Sequence, residues 1–219
     1  MHTIDRALSL RITELFVSLQ GESTRIGLPT VFVRLTGCPL RCTWCDTSYA
    51  FEGGEPRSIG DIVDEVVATG VDTVCVTGGE PLAQAGCPTL LAALCDAGLS
   101  VSLETSGALD ISDVDPRVSR IIDVKPPGSG EVARNRWQNL DLLRTSDELK
   151  FVLADENDYI WARTRIDADH LERRCTILMS PVHGRLDPAR LAEWILRDRL
   201  PVRMQLQLHK LIWGEQPGR

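Results

Sequence analysis

Long hydrophobic runs are scarce in this chain: the longest apolar stretch, at 90–95, has six residues. A helix that crosses a bilayer needs about 20 apolar residues, so the sequence predicts no membrane span. Residues 1–16 also lack the basic segment and apolar core that mark an export signal. These two absences predict a protein that acts in the cytoplasm.

Basic residues are also in short supply. The 219 residues include 24 Lys and Arg against 31 Asp and Glu, a net charge of -7. A broad surface for nucleic acid or for an anionic membrane needs clustered basic side chains, so neither partner is expected. The hydrophobic fraction of 43% is ordinary for a globular enzyme. At this length the chain most simply forms one domain, residues 1–219.

Cysteine, by contrast, is plentiful, with seven residues. Without an export signal these thiols are expected to stay reduced, and clustered cysteines then more often bind metal than form disulfides. Cys38, Cys42 and Cys45 lie in a CxxxCxxC loop. Thiolates are ligands of zinc and of iron–sulfur clusters, and both kinds of site usually take four protein ligands. The loop offers three.

The other four cysteines are poor candidates for a fourth ligand. Cys75 lies inside a predicted strand, Cys87 and Cys95 bracket a predicted helix, and Cys175 begins a strand at its amino end. At such positions cysteine serves as a small buried apolar residue. We therefore predict an open site, in which the protein holds three irons of a cubane cluster and the fourth iron accepts a small molecule.

Short β-branched runs alternate with helical patterns through most of the chain. The predicted strands are 30–37, 72–78, 99–105, 120–124, 148–153, 176–182 and 203–209, and the predicted helices are 58–70, 88–98, 137–145, 155–167 and 187–198. This alternation predicts parallel strands joined by crossover helices. A full barrel typically needs about 250 residues. The expected fold is thus an α/β, incomplete βα barrel of the TIM type, with an open doubly wound sheet as the alternative.

Polar or glycine-rich stretches follow six of the predicted strands. They are residues 37–47, 77–81, 104–107, 123–127, 180–184 and 207–210. In βα barrels the active site is built at the carboxyl ends of the strands, so this distribution predicts an enzyme.

The cysteine loop, with Trp44 before its last cysteine and GGEP (78–81) one βα unit later, resembles the radical S-adenosylmethionine (SAM) superfamily. The resemblance implies a 4Fe–4S cluster on the three cysteines, with SAM chelating the open iron. It implies that Gly79 and Glu80 receive the methionine amino group. It further implies one-electron cleavage of SAM to a radical at C5′, which removes a hydrogen atom from the substrate.

Within that superfamily, the SLQGE segment (18–22), TGGEP, ETSG (104–107), KPP (125–127) and QLHK (207–210) resemble the 7-carboxy-7-deazaguanine synthase family. The resemblance implies conversion of 6-carboxy-5,6,7,8-tetrahydropterin with ring contraction and loss of ammonia, in the biosynthesis of 7-deazapurines (queuosine precursors). It also implies Mg²⁺, regeneration of SAM, a homodimer, and a flavodoxin-like or other reductase as electron donor.

The same resemblance carries roles to individual positions. The implied substrate-binding residues are Leu19, Gln20, Gly21, Glu22, Arg34, Thr77, His209, Lys210 and Pro217. The implied SAM-binding residues are Trp44, Cys45, Asp46, Gly79, Glu80, Ser106, Lys125, Ser180, Pro181, Val182 and His183, and Thr47 is the implied Mg²⁺ ligand. The chain departs from the family pattern at Ser23, Ser106 and 123–124. Arg34 and Thr47 also have local explanations, as a strand arginine that reaches the surface and a loop hydroxyl bonded to nearby backbone.

Two other functions compete with this interpretation. A glycyl-radical activating enzyme shares the short length, the cysteine loop and the GGEP-like strand end, but it acts on a protein, and SLQGE and Thr47 argue against it. A zinc-stabilised interaction module would explain the cysteines but not GGEP or the polar strand ends.

Overall fold

The computed structural model describes residues 5–214, 216 and 218. Its strands are β1 (Ser9–Leu19), β2 (Pro29–Leu35), β3 (Glu55–Ser58), β4 (Thr73–Gly78), β5 (Ser100–Thr105), β6 (Ser119–Asp123), β7 (Glu148–Leu153), β8 (Thr176–Pro181) and β9 (Arg203–Met204). Its helices are α1 (Ile59–Ala68), α2 (Cys87–Asp96), α3 (Glu156–Asp169), α4 (Pro188–Asp198) and α5 (Leu208–Trp213).

The nine strands form one sheet in the order β3-β1-β2-β4-β5-β6-β7-β8-β9. β1 pairs antiparallel with β2 and with β3, and every pair from β2 through β9 is parallel. The seven parallel strands are the seven that the sequence predicts, with ends that shift by one or two residues except at β9.

Contacts between its distant parts show that the sheet curls. Five strand steps of about 4.8 Å, or roughly 24 Å, separate β1 from β7 in a flat sheet. Yet Lys150 in β7 pairs with Glu22, three residues beyond β1, at 2.5 Å. The backbone N–H of Thr24 also donates to Glu148 of β7. β3 and β9 are not paired in the described part of the chain, so the partial barrel prediction is confirmed over the doubly wound alternative.

The two faces of the sheet differ in chemistry. Alternate strand residues such as Val33, Val76 and Phe151 are fully buried in the hydrophobic core, where α1 and α2 contribute their apolar faces. α1 begins at the predicted cap, since the Asp61 N–H donates to Ser58 Oγ at 3.0 Å. The intervening strand residues carry polar groups such as Arg34, which face the inside of the curl. The fold therefore supplies a polar interior inside a conventional apolar layer.

Two predicted elements differ from the structure, one in its type of helix and the other in its length. The predicted helix 137–145 is a short 3-10 helix, Trp137–Leu142. The predicted strand 203–209 keeps only Arg203–Met204, and its end becomes part of α5. Tertiary contacts override the alternating pattern there, because the Leu208 N–H donates to the Gly21 carbonyl at 2.9 Å instead of to a sheet neighbour.

β1 and β3 were not predicted. β1 alternates imperfectly because its pairing with β2 shifts register between Ile12 and Glu14, and a bulge of this kind breaks the period of two. Among the described residues, no helix is long and apolar enough to cross a membrane.

Candidate active site

The cysteine loop follows β2 and lies at the carboxyl end of the parallel strands. Its base is fixed by two backbone bonds, from Gly37 N–H to Ala50 and from Glu80 N–H to Gly37, both at 2.8 Å. Its tip turns where the Cys45 N–H donates to Cys42. Cys38, Cys42 and Cys45 are free thiols and half-buried. The loop thus presents three thiols at the mouth of the curl.

The environment of these thiols fits a multi-iron cluster. Burial raises the pKa of Cys38, and it raises the pKa of Cys42 to about 11, so binding iron must displace their protons. Within the described ranges, no three His, Cys, Asp or Glu side chains converge on one ion position. A cubane does not require such convergence, because each cysteine binds a different iron.

The other cysteines occupy the structural positions that the sequence predicts for them. Cys75, Cys87 and Cys175 are buried, and Cys95 is half-buried on α2. Burial is the main cause that raises the pKa of each of these four thiols. The three-cysteine loop therefore stays the predicted donor set for a cluster.

Gly79 and Glu80 follow β4 directly beneath this loop. The Gly79 N–H donates to the Leu35 carbonyl at 3.3 Å. The Glu80 side chain is fully buried, and its carboxylate accepts from Leu82 N–H, from the Thr105 hydroxyl and from the backbone and hydroxyl of Ser106. Glu80 thus ties the end of β5 to the end of β4. Its assignment to the SAM amino group stays a prediction.

Gly79 offers a sharp test of how closely the loop packs on β4. A Cβ at this position would lie 2.4 Å from the Gly37 carbonyl oxygen and 2.7 Å from Cys38 Cβ. We expect Gly79→Ala to displace the first cysteine, to cost about 1–3 kcal/mol of stability and to lower bound iron. Iron analysis and thermal unfolding would measure both.

Gly60→Ala is the matched control, because the nearest neighbour of its Cβ would be Arg6, at 3.3 Å or more. If Gly79→Ala retains parental iron and stability, the described packing is wrong.

A ladder of charged groups crosses the interior. The Lys150 ammonium bonds Glu22 and lies 3.8 Å from Asp123, whose same oxygen pairs with Lys125 at 3.0 Å. The Gln207 amide donates to the second oxygen of Glu22 at 2.7 Å. Burial alone would raise the pKa of Glu22, but the charge of Lys150 and the hydrogen bonds from Lys150 and Gln207 together lower it overall. Glu22 is therefore held as a carboxylate.

Glu104 lies nearby, and the pKa of its carboxyl group shifts in the opposite direction to that of Glu22. Burial, reinforced by the charge of Glu22, raises the pKa of Glu104. Its carboxyl group contacts the Thr77 hydroxyl at 3.1 Å and the Gln20 amide at 3.4 Å. Two carboxyl groups whose pKa values are pushed apart are typical of functional sites.

Arg34 reaches the interior from β2. Its Nε lies 2.6 Å from Glu14, which also accepts from the Tyr49 hydroxyl at 2.8 Å. Burial would lower the pKa of Arg34, but Tyr49 and Glu14 raise it overall. The guanidinium is mostly buried, so it is not the surface arginine of the local explanation.

α5 joins the turn after β1 to the cysteine loop. The side chain of His209 lies against Gly21, where a Cβ would come within 2.0 Å of Nδ1. Burial lowers the pKa of His209. Lys210 pairs with Asp46 at 2.8 Å, and the Thr47 hydroxyl donates to Asp46 at 2.9 Å. Leu19, the last residue of β1, pairs with Pro29.

The Asp46 carboxylate is the link between α5 and the loop. Burial would raise its pKa, but the bond and charge of Lys210 lower it overall. Thr47 makes the local bond that the sequence suggests as its alternative role, although to a side chain. Pro217 lies outside the described residues.

Unsatisfied polar atoms mark where a ligand fits. Ser180 Oγ near the end of β8 and Asp123 Oδ1 at the end of β6 are buried without a hydrogen-bond partner among the described residues. Pro181 and Val182 are buried, and His183 is exposed. The Arg185 guanidinium lies 5.5 Å from the Trp44 ring centre. Buried unpaired polar atoms are costly, so a polar molecule such as SAM suits this end of the barrel.

Three interior residues were not predicted from the sequence. Lys150, Glu104 and Gln207 contact the predicted residues Glu22, Thr77 and Gln20. Lys150 did leave a signal, since a lysine flanked by Leu149 and Phe151 in a buried strand has to face a polar interior. The pairing itself was not visible.

Comparison with known proteins identifies the family. The model of the radical SAM superfamily matches residues 32–124. A 7-carboxy-7-deazaguanine synthase from Chlorobaculum tepidum is 50% identical over 208 residues, which cover 94% of each chain. One from Koribacter versatilis is 43% identical over 220 residues, covering 93% of this chain and 97% of the relative. The chain belongs to the 7-carboxy-7-deazaguanine synthase family.

A solved structure supports the same fold. The crystal structure of QueE from Escherichia coli matches with a TM-score of 0.74 and 24% identity, over 92% of this chain and 95% of that one. The 7-carboxy-7-deazaguanine synthase family lies within the radical SAM enzymes, which confirms the predicted class of enzyme. Membership of this family also favours a 7-carboxy-7-deazaguanine synthase over the glycyl-radical activating enzyme and over a zinc module. The radical SAM family implies a 4Fe–4S cluster and SAM as cofactors.

Proposed function

We propose that this chain, as a single radical SAM domain over 1–219, converts 6-carboxy-5,6,7,8-tetrahydropterin to 7-carboxy-7-deazaguanine with ring contraction and loss of ammonia. The observation that carries the proposal is the polar interior, in which Glu22, Lys150, Glu104 and Gln20 meet within the curl below the cysteine loop. A pterin edge carries both donors and acceptors, and the enclosed set offers both.

The substrate would lie against the turn after β1. Gln20 and the backbone of Gly21 are available to its donor and acceptor edge, and ionised Glu22 would accept from its N–H groups. The Glu104 carboxyl group, which accepts from Thr77 and Gln20, would lie beside the substrate. Arg34 supplies the buried positive charge that a carboxylate substrate requires. His209 and Lys210 on α5 would cover this pocket, and Leu19 and Pro217 belong to the same proposed set.

The cofactors would occupy the mouth of the curl. When bound by Cys38, Cys42 and Cys45, the cluster supplies the electron that cleaves SAM reductively. SAM would be held by Trp44, Cys45, Asp46, Gly79, Glu80, Ser106, Lys125, Ser180, Pro181, Val182 and His183. Thr47 would offer its hydroxyl oxygen to Mg²⁺, a cation that keeps few protein ligands when substrate oxygens share it.

The cellular setting is part of the proposal. We place the enzyme in the cytoplasm of a host that makes 7-deazapurines such as queuosine, as a homodimer. A flavodoxin-like protein or another reductase would donate the electron. The net charge of -7 supports the expectation that neither nucleic acid nor a membrane is a partner.

A turnover assay tests the proposed function. The protein is reconstituted anaerobically with iron and sulfide, reduced, and given SAM, Mg²⁺ and the pterin, and the products are followed by mass spectrometry. We expect a product that has lost ammonia, with many turnovers for each SAM. Omission of Mg²⁺ should lower the rate of product formation. The control variant Glu52→Gln changes an exposed loop residue and should form product at the parental rate.

Two outcomes would contradict the proposal in different ways. If 5′-deoxyadenosine accumulates in step with SAM loss and the pterin is unchanged, the substrate is wrong but the radical chemistry stands. If Mg²⁺ has no effect while product forms, the role of Thr47 is wrong.

A further inference from the structure

In the described structure, the hydrogen bonds that residues 41–45 of the cysteine loop make to other segments all go to one neighbouring segment. Between Cys38 and Cys45 the chain forms turns without strand or helix. The Thr43 N–H donates to Ser129 at 3.0 Å, the Thr43 hydroxyl donates to Gly128 at 2.9 Å, and the Arg41 N–H donates to the Glu131 carboxylate. The acceptors of all three bonds lie in residues 126–131, here called the buttress loop.

The buttress loop is itself irregular and needs an anchor. Ser129 is fully buried and bonds back to Pro126 at 2.6 Å, which closes a tight turn. The Gly128 N–H points the other way and donates to Asp158 Oδ1 at 2.8 Å. Asp158 lies in the first turn of α3 and is 1% exposed. The buttress loop therefore contacts the cysteine loop on one side and the buried Asp158 carboxylate on the other.

Asp158 can serve as an anchor because both of its oxygens are committed. Its second oxygen accepts from Ala154 N–H at 3.1 Å, at the end of β7. A Cβ on Gly128 would lie 2.5 Å from Oδ2, so the carboxylate and the loop backbone are in close contact. Two N–H donors thus converge on one buried carboxylate, and an asparagine would have to present its NH₂ to one of them.

We infer that Asp158 is a positioning residue for the iron–sulfur cluster, acting through the buttress loop on Thr43 and Arg41. It touches neither cysteine nor ligand. Its function is to hold the segment that keeps Cys42 and Cys45 in a geometry able to bind iron. This inference goes beyond the proposed substrate and rests only on the three-cysteine cluster.

The test measures how fast the cluster is lost. Parent and Asp158→Ala proteins are loaded anaerobically, and iron release to a chelator is followed well below the unfolding temperature of either, with circular dichroism as the check on folding. We expect release to be about tenfold faster in Asp158→Ala, a change equivalent to about 1.4 kcal/mol. The EPR signal of the reduced cluster should also change on adding SAM to the parent, and change less in the variant.

Asp155→Ala is the matched control. Asp155 caps the same helix, accepting from Asp158 N–H at 3.0 Å, but has no bond to the buttress loop in the described structure. Losing this cap is expected to lower the unfolding temperature, while iron release stays within about twofold of the parent. Equal release from the two variants at equal loss of stability would mean that Asp158 merely caps α3.

A double-mutant cycle keeps the inference testable in a second way. Thr43→Val removes the hydroxyl bond to Gly128, and its effect should shrink when Asp158 is already alanine, because both act through one loop. If the two effects multiply, the coupling is absent and the inference fails. Gly128→Ala, which pushes on the carboxylate from the other side, replaces Asp158→Ala if that variant does not fold. If the parent protein binds no iron, the proposed function is overturned as well. If the parent binds iron normally and Asp158→Ala releases it at the parental rate, only this inference is overturned.

Discussion

Cys42→Ser is expected to abolish reductive cleavage of SAM while leaving the fold intact. Cys42 is half-buried in a loop outside the core, so its loss removes an iron ligand and little packing. We expect 5′-deoxyadenosine formation to fall at least about a thousandfold, which corresponds to about 4 kcal/mol of activation free energy. Anaerobic reconstitution followed by iron analysis and product detection would measure this.

Cys95→Ser provides the matched control for that experiment. Cys95 has a comparable half-buried environment, but it lies on α2, away from the loop. Iron content and activity should stay near those of the parent. Loss of the cluster in Cys95→Ser, or its full retention in Cys42→Ser, would contradict the three-cysteine ligand set.

Lys150→Met is expected to destabilise the protein and to disable substrate binding together. The substitution keeps most of the side-chain volume but leaves the Glu22 carboxylate without its ammonium partner, and the side chains of this pair are each only 11% exposed. Asp123 keeps Lys125 as its partner at 3.0 Å. Removing one partner of a buried ion pair typically costs about 3–5 kcal/mol. Denaturant unfolding and pterin binding would report the two effects.

The double variant Lys150→Met with Glu22→Gln separates charge from packing. Because the uncompensated carboxylate is also removed, we expect it to be more stable than Lys150→Met alone, while pterin binding stays weak. If the double variant is no more stable than the single one, the loss does not arise from an unpaired charge.

The stability difference between parent and Lys150→Met should depend on pH in a defined direction. The pKa of Glu22 is lowered from 4.5, so its contribution is present above pH 4.5 and is lost as the pH falls through the folded value. The pKa of Lys150 is raised well above 10.5, so its contribution is present below pH 10.5 and is lost only as the pH rises through that higher value. The difference should therefore be full near neutral pH and shrink in acid.

Buried parallel strands and the cysteine loop could be predicted because their signals are local. Strands such as β4 and β7 are short segments of mostly buried residues that carry β-branched or aromatic side chains, and the loop is marked by its cysteine spacing. β1 was missed because its bulge interrupts alternation, and α5 was missed because a six-residue helix with no buried side chain has little pattern. Local rules fail at such places.

The residues of the candidate site could be proposed from the sequence, but the contacts among them could not. Gln20, Glu22 and Thr77 come from motif resemblance, whereas their partners Lys150 and Glu104 depend on how far the sheet curls. No periodicity encodes the curl. The same limit applies to Glu80, for which the motif suggests a ligand contact and the structure shows four donors from neighbouring strand ends.

The contacts between distant parts of the chain in this partial barrel have a consequence for synthesis on the ribosome. Glu22 meets Lys150 across 128 positions and Gln207 across 185 positions of the chain. The three cysteines therefore emerge long before α5, whose Lys210 pairs with Asp46 beside the last cysteine. Contacts of such high separation form late. Nascent chains should thus expose an unprotected thiol loop during elongation, and iron–sulfur delivery is best timed after release of the finished polypeptide.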